Sequence, residues 1–157
     1  MIDSDLTMVR LGEAITLSQA GDRPAARDRL AQLWRDAGGE SADPLHRCGI
    51  AHAMADVQDD PVDELWWDLQ ALTAADLVTD ERTTAAGAGL VAGFYPSLHL
   101  NVGDCYRRLG DVDNGWLHVH RGLAAVRALP ESGYRDLVLQ GLERLAGRLR
   151  DLVADGR

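Results

Sequence analysis

The sequence of 157 residues contains no lysine, because all 16 of its basic residues are arginine. Enzymes that form a Schiff base through lysine and phosphate-binding P-loops that require one are therefore excluded. The chain has only two cysteines, Cys48 and Cys105, and no C-x-x-C pair, which argues against a disulfide framework or a cysteine-based zinc site. No stretch approaches the roughly 20 consecutive apolar residues that a membrane-spanning helix needs.

The amino-terminal residues indicate the cellular compartment that we expect, and the net charge indicates which classes of partner we do not expect. Met1 is followed by Ile2-Asp3-Ser4-Asp5, which has neither the basic region nor the apolar core of a secretory signal, so we expect a cytoplasmic protein. The formal net charge is -9 and the pI is near 4.9. Nucleic acids and anionic membranes attract basic surfaces, so we expect neither as a partner. The preference for arginine and alanine, whose codons are GC-rich, indicates a high-GC bacterial source.

Apolar residues recur every three or four positions, which is the period of an α-helix and not of a strand. An apolar fraction of 46% is typical of a folded domain, and the length suits a single one over 1–157. Asp43-Pro44 and Asp60-Pro61 each place an N-cap acceptor before a proline at the first helical position. The sequence therefore predicts an all-α fold with helices over 4–20, 23–37, 44–57, 61–76, 96–109, 112–128 and 132–153.

The passage from Asn101 to Leu123 resembles a tetratricopeptide (TPR) repeat. Gly103 precedes the aromatic Tyr106 by three residues, Gly110 follows at the turn, and small residues recur on the second helix at Gly115 and Gly122. Small residues are required where the two helices of such a repeat cross closely. Similar but weaker passages begin at Ala14 and Ala51. The resemblance implies a member of the family of the kind found in high-GC, actinobacterial-type genomes.

The resemblance also implies an architecture and a function. It predicts a right-handed α-solenoid of about three TPR-like hairpins over 7–38, 44–76 and 96–128, with an insertion over 77–95. The helix over 132–153 would then be a capping helix. Members of this family bind protein or peptide partners in a concave groove, so the expected function is a non-catalytic interaction module. The partner itself is not identified by the sequence.

The first helices of the repeats are expected to line the groove. In the third repeat these helices present Asn101, Asp104, Arg107 and Arg108, and in the second His52. The two arginines would hold a carboxylate or phosphate of the partner. The alternative is that they are solvated charges, paired with Asp104 or with another aspartate.

A second hypothesis is a small-molecule-binding protein or enzyme whose pocket is closed by the glycine-rich 77–95 insertion, with Tyr95 and His52 in its wall. The residue patterns give little support to metal binding or catalysis. His118 and His120 are two apart on one helix and point to different sides, so we expect no metal site and no cofactor. No catalytic motif is present. The leucines of the last helix make a homodimer a further possibility.

Overall fold

A computed structural model describes residues 4–78 and 89–156, and within these ranges the protein is all-helical, as predicted. The helices are α1 (Ser4–Gln19), α2 (Arg23–Ala37), α3 (Pro44–Asp56), α4 (Pro61–Asp76), α5 (Gly89–Arg108), α6 (Val112–Arg127) and α7 (Gly133–Asp155), with a short 3-10 turn at Gly39–Ser41. Among the described residues, no helix combines the length and the apolar character that crossing a bilayer demands.

Most of these helices begin at a side chain that accepts a backbone N–H. Asp43 and Asp60 accept from Leu45 and Val62, each just before the proline that opens its helix, which confirms the predicted caps. Asp22, Asp111 and Ser132 cap α2, α6 and α7 in the same way. The turn between α5 and α6 contains Gly110 with φ of +82°, a left-handed conformation that other residues adopt only with strain.

The chain divides into two compact units, Met1–Val78 and Thr79–Arg157. In the first unit, α1 pairs with α2 and α3 pairs with α4, while α3 also packs on both α1 and α2. Its core contains Leu11, Leu30, Leu33 and Ile50, together with small side chains such as Ala14. Ala14 and Ala26 are fully buried, so these alanines allow the first pair of helices to approach closely.

In the second unit, α5 pairs with α6, and α7 packs on both of them. The three glycines predicted to lie at helix crossings are buried there. A Cβ added at Gly103 would stand 3.4 Å from the Gly115 carbonyl oxygen on α6, and one added at Gly122 would stand 3.3 Å from the His99 Cβ on α5. Since both positions leave so little room, these glycines set how closely α5 and α6 cross.

The leucines of α7 fill the space above the same glycines. A Cβ at Gly115 would lie 2.8 Å from Leu149, and one at Gly122 would lie 2.7 Å from Leu142. Leu142, Leu145 and Leu149 are buried, whereas Leu137 and Leu152 are exposed. Most of the leucine stripe that suggested a homodimer is thus used inside the second unit.

The predicted helix boundaries agree with the structure to within two residues, with one exception. Helix α5 begins at Gly89, so it includes residues 89–95 of the predicted insertion, and Pro96 lies inside the helix instead of opening it. A proline resembles a helix start in sequence because its fixed φ and missing N–H suit the first turn, whereas inside a helix it removes one backbone hydrogen bond. Residues 79–88 of the predicted insertion lie outside the described residues.

Candidate functional site

The first unit contains a histidine–carboxylate pair that joins α3 to α4, in which the carboxylate is buried and the histidine half-buried. His52 Nδ1 on α3 lies 3.4 Å from Asp68 Oδ1 on α4. The Asp68 side chain is 0% exposed and that of His52 is 21% exposed. Asp68 shares the inward face of α4 with Ala71 and Ala75, three and seven residues further on. A carboxylate thus occupies a core position of α4.

Burial and neighbouring charges shift the pKa values of this pair. Burial raises the pKa of Asp68 to about 6, against the opposing effect of its contact with His52. For His52, burial alone would lower the pKa, but the hydrogen bond to Asp68 and the carboxylates of Asp56 and Asp68 outweigh it and raise the pKa. Each partner thus favours the charged form of the other, and for Asp68 burial outweighs this effect.

Cys48 lies one helical turn before His52 on α3, a spacing at which a cysteine and a histidine can face each other as a catalytic dyad. The structure does not support a nucleophile there. Cys48 is fully buried, and burial with the nearby Asp68 charge raises the pKa of its thiol to about 12. Since a thiol attacks as the thiolate, Cys48 is unreactive at neutral pH.

The second unit contains the predicted arginine group at the end of α5. Arg107 Nε donates to Asp104 Oδ1 at 2.8 Å, and Arg108 Nε donates to Asp104 Oδ2 at 3.1 Å. Arg148 of α7, which the sequence analysis did not single out, reaches to 3.9 Å from the same carboxylate. Three guanidinium groups thus surround one carboxylate, and the pairing with Asp104 that the sequence left open is present. We call Asp104, Arg107, Arg108 and Arg148 the arginine patch.

The other predicted site residues of this unit lie further towards the start of α5. Asn101 is half-buried, one turn before Asp104. Tyr95 stacks on His99, with ring centroids 6.3 Å apart. His99 in turn contacts His118 of α6, with the two Nδ1 atoms 3.0 Å apart, and His118 stacks on Tyr106. Tyr95 is therefore part of a column of four rings, with His99, His118 and Tyr106.

His118 is held neutral within this column. Burial, with the charges of His99 and Arg121 acting in the same direction, lowers the pKa of His118 to about 4. A neutral imidazole has one N–H donor and one acceptor, so one of the two facing Nδ1 atoms donates and the other accepts. His118 had been considered only with His120, its neighbour on the same helix. The true partner is 19 residues away and could be found only by pairing positions across the hairpin.

The remaining aromatic residues of the first unit are used for packing. Trp67 lies edge-on to Trp34 of α2, with ring centroids 5.1 Å apart, and Trp66 is 46% exposed. The adjacent tryptophans of α4 thus differ in exposure, because Trp67 packs against the core of the unit and Trp66 lies partly in solvent.

A surface cleft of about 380 Å³ lies between α1 and α2. It is lined by charged and polar residues, namely Arg10, Glu13, Asp28, Arg29 and Gln32. None of the predicted site residues lines this cleft. It gives no specific support to the small-molecule hypothesis.

Two residues that matter to these sites, Asp68 and Arg148, were missed by the sequence reasoning. Asp68 had a detectable sign, since it lies at the spacing of the inward alanines of its helix. Arg148 had none, because it is one of four arginines on α7 and only the packing of α7 on α5 selects it. Compared with protein-family models, with curated proteins and with solved structures, the chain gave no match in any of the three.

Proposed function

We propose that this chain is a TPR-like helical-repeat protein that binds a protein or peptide partner, and that the arginine patch holds an acidic group of that partner. The observation on which the proposal depends is the gathering of three arginines from two helices around one aspartate, in a chain whose net charge is -9. Such a local excess of positive charge is the opposite of the overall composition.

The repeat interpretation is supported by the way successive helices pack. In the first unit α3 packs on both helices of the preceding hairpin, and in the second unit α7 does the same with α5 and α6. Each new helix of an α-solenoid packs in this manner on the hairpin before it. The glycine contacts at Gly103, Gly115 and Gly122 and the left-handed Gly110 agree with the TPR pattern. The exposed polar residues of α7 suit a capping helix.

The chemistry of the arginine patch favours a carboxylate-bearing partner. Asp104 orients the guanidinium groups of Arg107 and Arg108 through their Nε atoms, and Arg108 Nη2 also donates to Cys105 Sγ at 3.3 Å. Arginine side chains bind carboxylates through two parallel hydrogen bonds, in a geometry that lysine does not provide. The side chains are 22% to 58% exposed, so a partner can reach them. Asn101, one turn earlier, offers an amide to the peptide backbone.

The proposal is tested with a fluorescein-labelled peptide rich in aspartate and glutamate and with a free C-terminal carboxylate. Fluorescence anisotropy should show saturable binding that weakens as salt is added, because salt screens exposed charges. Arg148→Glu and Arg107→Gln should each weaken binding by on the order of ten-fold, which corresponds to about 1.4 kcal/mol. A basic peptide of the same length should not bind.

Arg127→Glu is the matched control, because it makes the same charge change at an exposed arginine of the last turn of α6, outside the patch. Equal weakening by Arg127→Glu and Arg148→Glu would show that only the overall charge matters. That result, or the absence of binding to any acidic peptide of an array, would refute the proposed role of the patch.

A further inference from the structure

Helix α4 carries an apolar stripe on the side that faces away from the core of the first unit. Its inward side contains the buried Ala71 and Ala75. Residues spaced by four, three and four positions share one face of a helix. On the outward side these spacings connect Val62, Trp66, Leu69 and Thr73. We call these four residues the α4 stripe. Its two largest exposed members are Val62, which is 57% exposed, and Trp66, which is 46% exposed.

The ring of Trp66 is held in place although it is exposed. It lies edge-on to Trp67, with ring centroids 4.7 Å apart, and Trp67 lies edge-on to Trp34 of α2. Trp67 in turn packs against the core of the unit. An ordered aromatic side chain loses little conformational entropy when a partner covers it. Tryptophan is also among the residues that contribute most to binding at protein interfaces. Trp66 is therefore suited to anchor a partner.

The surroundings of the α4 stripe are acidic. Helix α4 contains four acidic residues and no basic one. Asp63 and Asp76 are exposed near its two ends. Residues 1–78 contain 15 acidic residues and six arginines, so this unit as a whole is strongly negative. Charge complementarity across an interface therefore favours a basic partner. It disfavours a second copy of the chain, which in a two-fold contact brings the same acidic surface to the interface.

We propose that the α4 stripe binds a basic amphipathic segment of a partner protein. Amphipathic helices bind other proteins by placing apolar anchors, three or four residues apart, on an apolar surface. Such anchors would cover Val62 and Trp66, and the basic side chains beside them would face Asp63 and Asp76. This partner is opposite in charge to the one proposed for the arginine patch, which lies in the second unit. Either proposal can therefore fail without the other.

The test uses the full chain and a fluorescein-labelled peptide of about 18 residues, which is five helical turns. The peptide has leucine at every third or fourth position and lysine elsewhere, and fluorescence anisotropy should show saturable binding. A peptide with glutamate in place of every lysine should not bind, because it is repelled by the acidic surface. A peptide with serine in place of every leucine should not bind either, because exposed ion pairs alone contribute little.

Variants of the protein locate the binding. Trp66→Ala should weaken it by about 30-fold, which corresponds to about 2 kcal/mol. Val62→Ser should weaken it by roughly five-fold, because a smaller apolar area is lost. Val9→Ser is the matched control, because Val9 of α1 is also 57% exposed, and it should bind like the unaltered chain. Asp63→Asn should weaken binding by roughly two-fold, and Asp28→Asn, at an exposed aspartate of α2, should weaken it less.

Circular dichroism of each variant checks that the helices are intact, and Val62→Ser provides the comparison if Trp66→Ala does not fold. The proposal is overturned if the lysine peptide does not bind, if the glutamate peptide binds equally well, or if Val9→Ser weakens binding as much as Val62→Ser. Light scattering that gives a dimer for the unaltered chain and a monomer for Trp66→Ala would also overturn it, because a second copy would then cover the stripe.

Discussion

In each unit a histidine contacts a side chain on the neighbouring helix, and the two partners shift the pKa of that histidine in opposite directions. His52 in the first unit faces a carboxylate, and its pKa is raised. His118 in the second unit faces another histidine, and its pKa is lowered to about 4. Burial disfavours the charged imidazole in both places, so the partner across the hairpin decides whether the histidine accepts a proton. A histidine therefore cannot be assigned a role from its own helix alone.

The same contrast extends to composition and packing. Residues 1–78 contain 15 acidic residues and six arginines and so hold the whole net charge of -9, whereas residues 79–157 contain ten of each. The first unit uses buried alanines such as Ala14 and Ala26 at its close contacts. The second uses Gly103, Gly115 and Gly122, against which leucines of α7 pack. Glycine permits closer approach, but every methyl group added there meets a leucine.

The largest expected effect concerns the glycine–leucine contacts of the second unit. Leu142→Ala should reduce the free energy of unfolding by about 2–5 kcal/mol, as for other fully buried leucines. Gly122→Ala should cost about 1–3 kcal/mol, because its Cβ would stand 2.7 Å from Leu142. In the double variant the new methyl group occupies space that Leu142 has vacated, so its cost should be less than the sum.

Urea denaturation followed by circular dichroism measures these three costs. Leu30→Ala in the first unit, where the leucine is also fully buried, provides the comparison for an ordinary cavity. Additive costs for Gly122→Ala and Leu142→Ala would mean that the two residues do not compete for the same space.

An intermediate effect is expected from acid on the second unit. The pKa of His118 is about 4 in the folded chain, against 6.5 for a free histidine side chain. Between these pH values the unfolded chain binds a proton that the folded chain does not, so stability falls as the pH is lowered from about 6.5 to about 4. The expected loss at this site is on the order of 1–3 kcal/mol.

Urea midpoints at pH 7 and pH 4.5 test this expectation. His118→Gln should remove this part of the pH dependence, and His120→Gln, an exposed neighbour on the same helix, should leave it unchanged. A pH dependence that is the same in His118→Gln as in the unaltered chain would show that His118 is not the group responsible.

The smallest expected effect is that of an alanine substitution at an exposed glycine of the first unit. Gly12 on α1 is exposed, and a Cβ there would meet nothing within 4 Å. Gly12→Ala should therefore increase the free energy of unfolding by about 0.5–1 kcal/mol, because alanine favours the helix over glycine. The same substitution thus has opposite signs at Gly12 and Gly122. A loss of stability at Gly12 in urea denaturation would indicate a contact that the structure does not contain.

The helices were predictable because their ends have local causes. Asp43 and Asp60 act as caps within two residues of where they stand, and Gly110 adopts its turn conformation without help from distant residues. Pro96 was misread because the same residue is compatible with a helix start and with an interior position. Whether Pro96 opens the helix or lies inside it depends on whether the residues before it are helical, and here the helix begins at Gly89.

The pairs between helices could not be predicted in the same way. His52 with Asp68, and His99 with His118, are 16 and 19 residues apart, and their meeting depends on the crossing of two helices. Arg107 and Arg108 were predicted as a pair on one helix, but Arg148 joins them from another. Periodicity shows which face a residue occupies. It does not show which residue stands opposite.

Each unit contains one fully buried cysteine, Cys48 in the first and Cys105 in the second. A thiol-specific reagent cannot reach either one while its surroundings are closed, so the rate of labelling measures how often that unit opens. In the Cys48→Ala variant only Cys105 remains, and in the Cys105→Ala variant only Cys48 remains. The labelling rate of each variant therefore reports the opening of one unit. Comparing the two labelling rates would show which unit opens more often, without any probe being introduced into the protein.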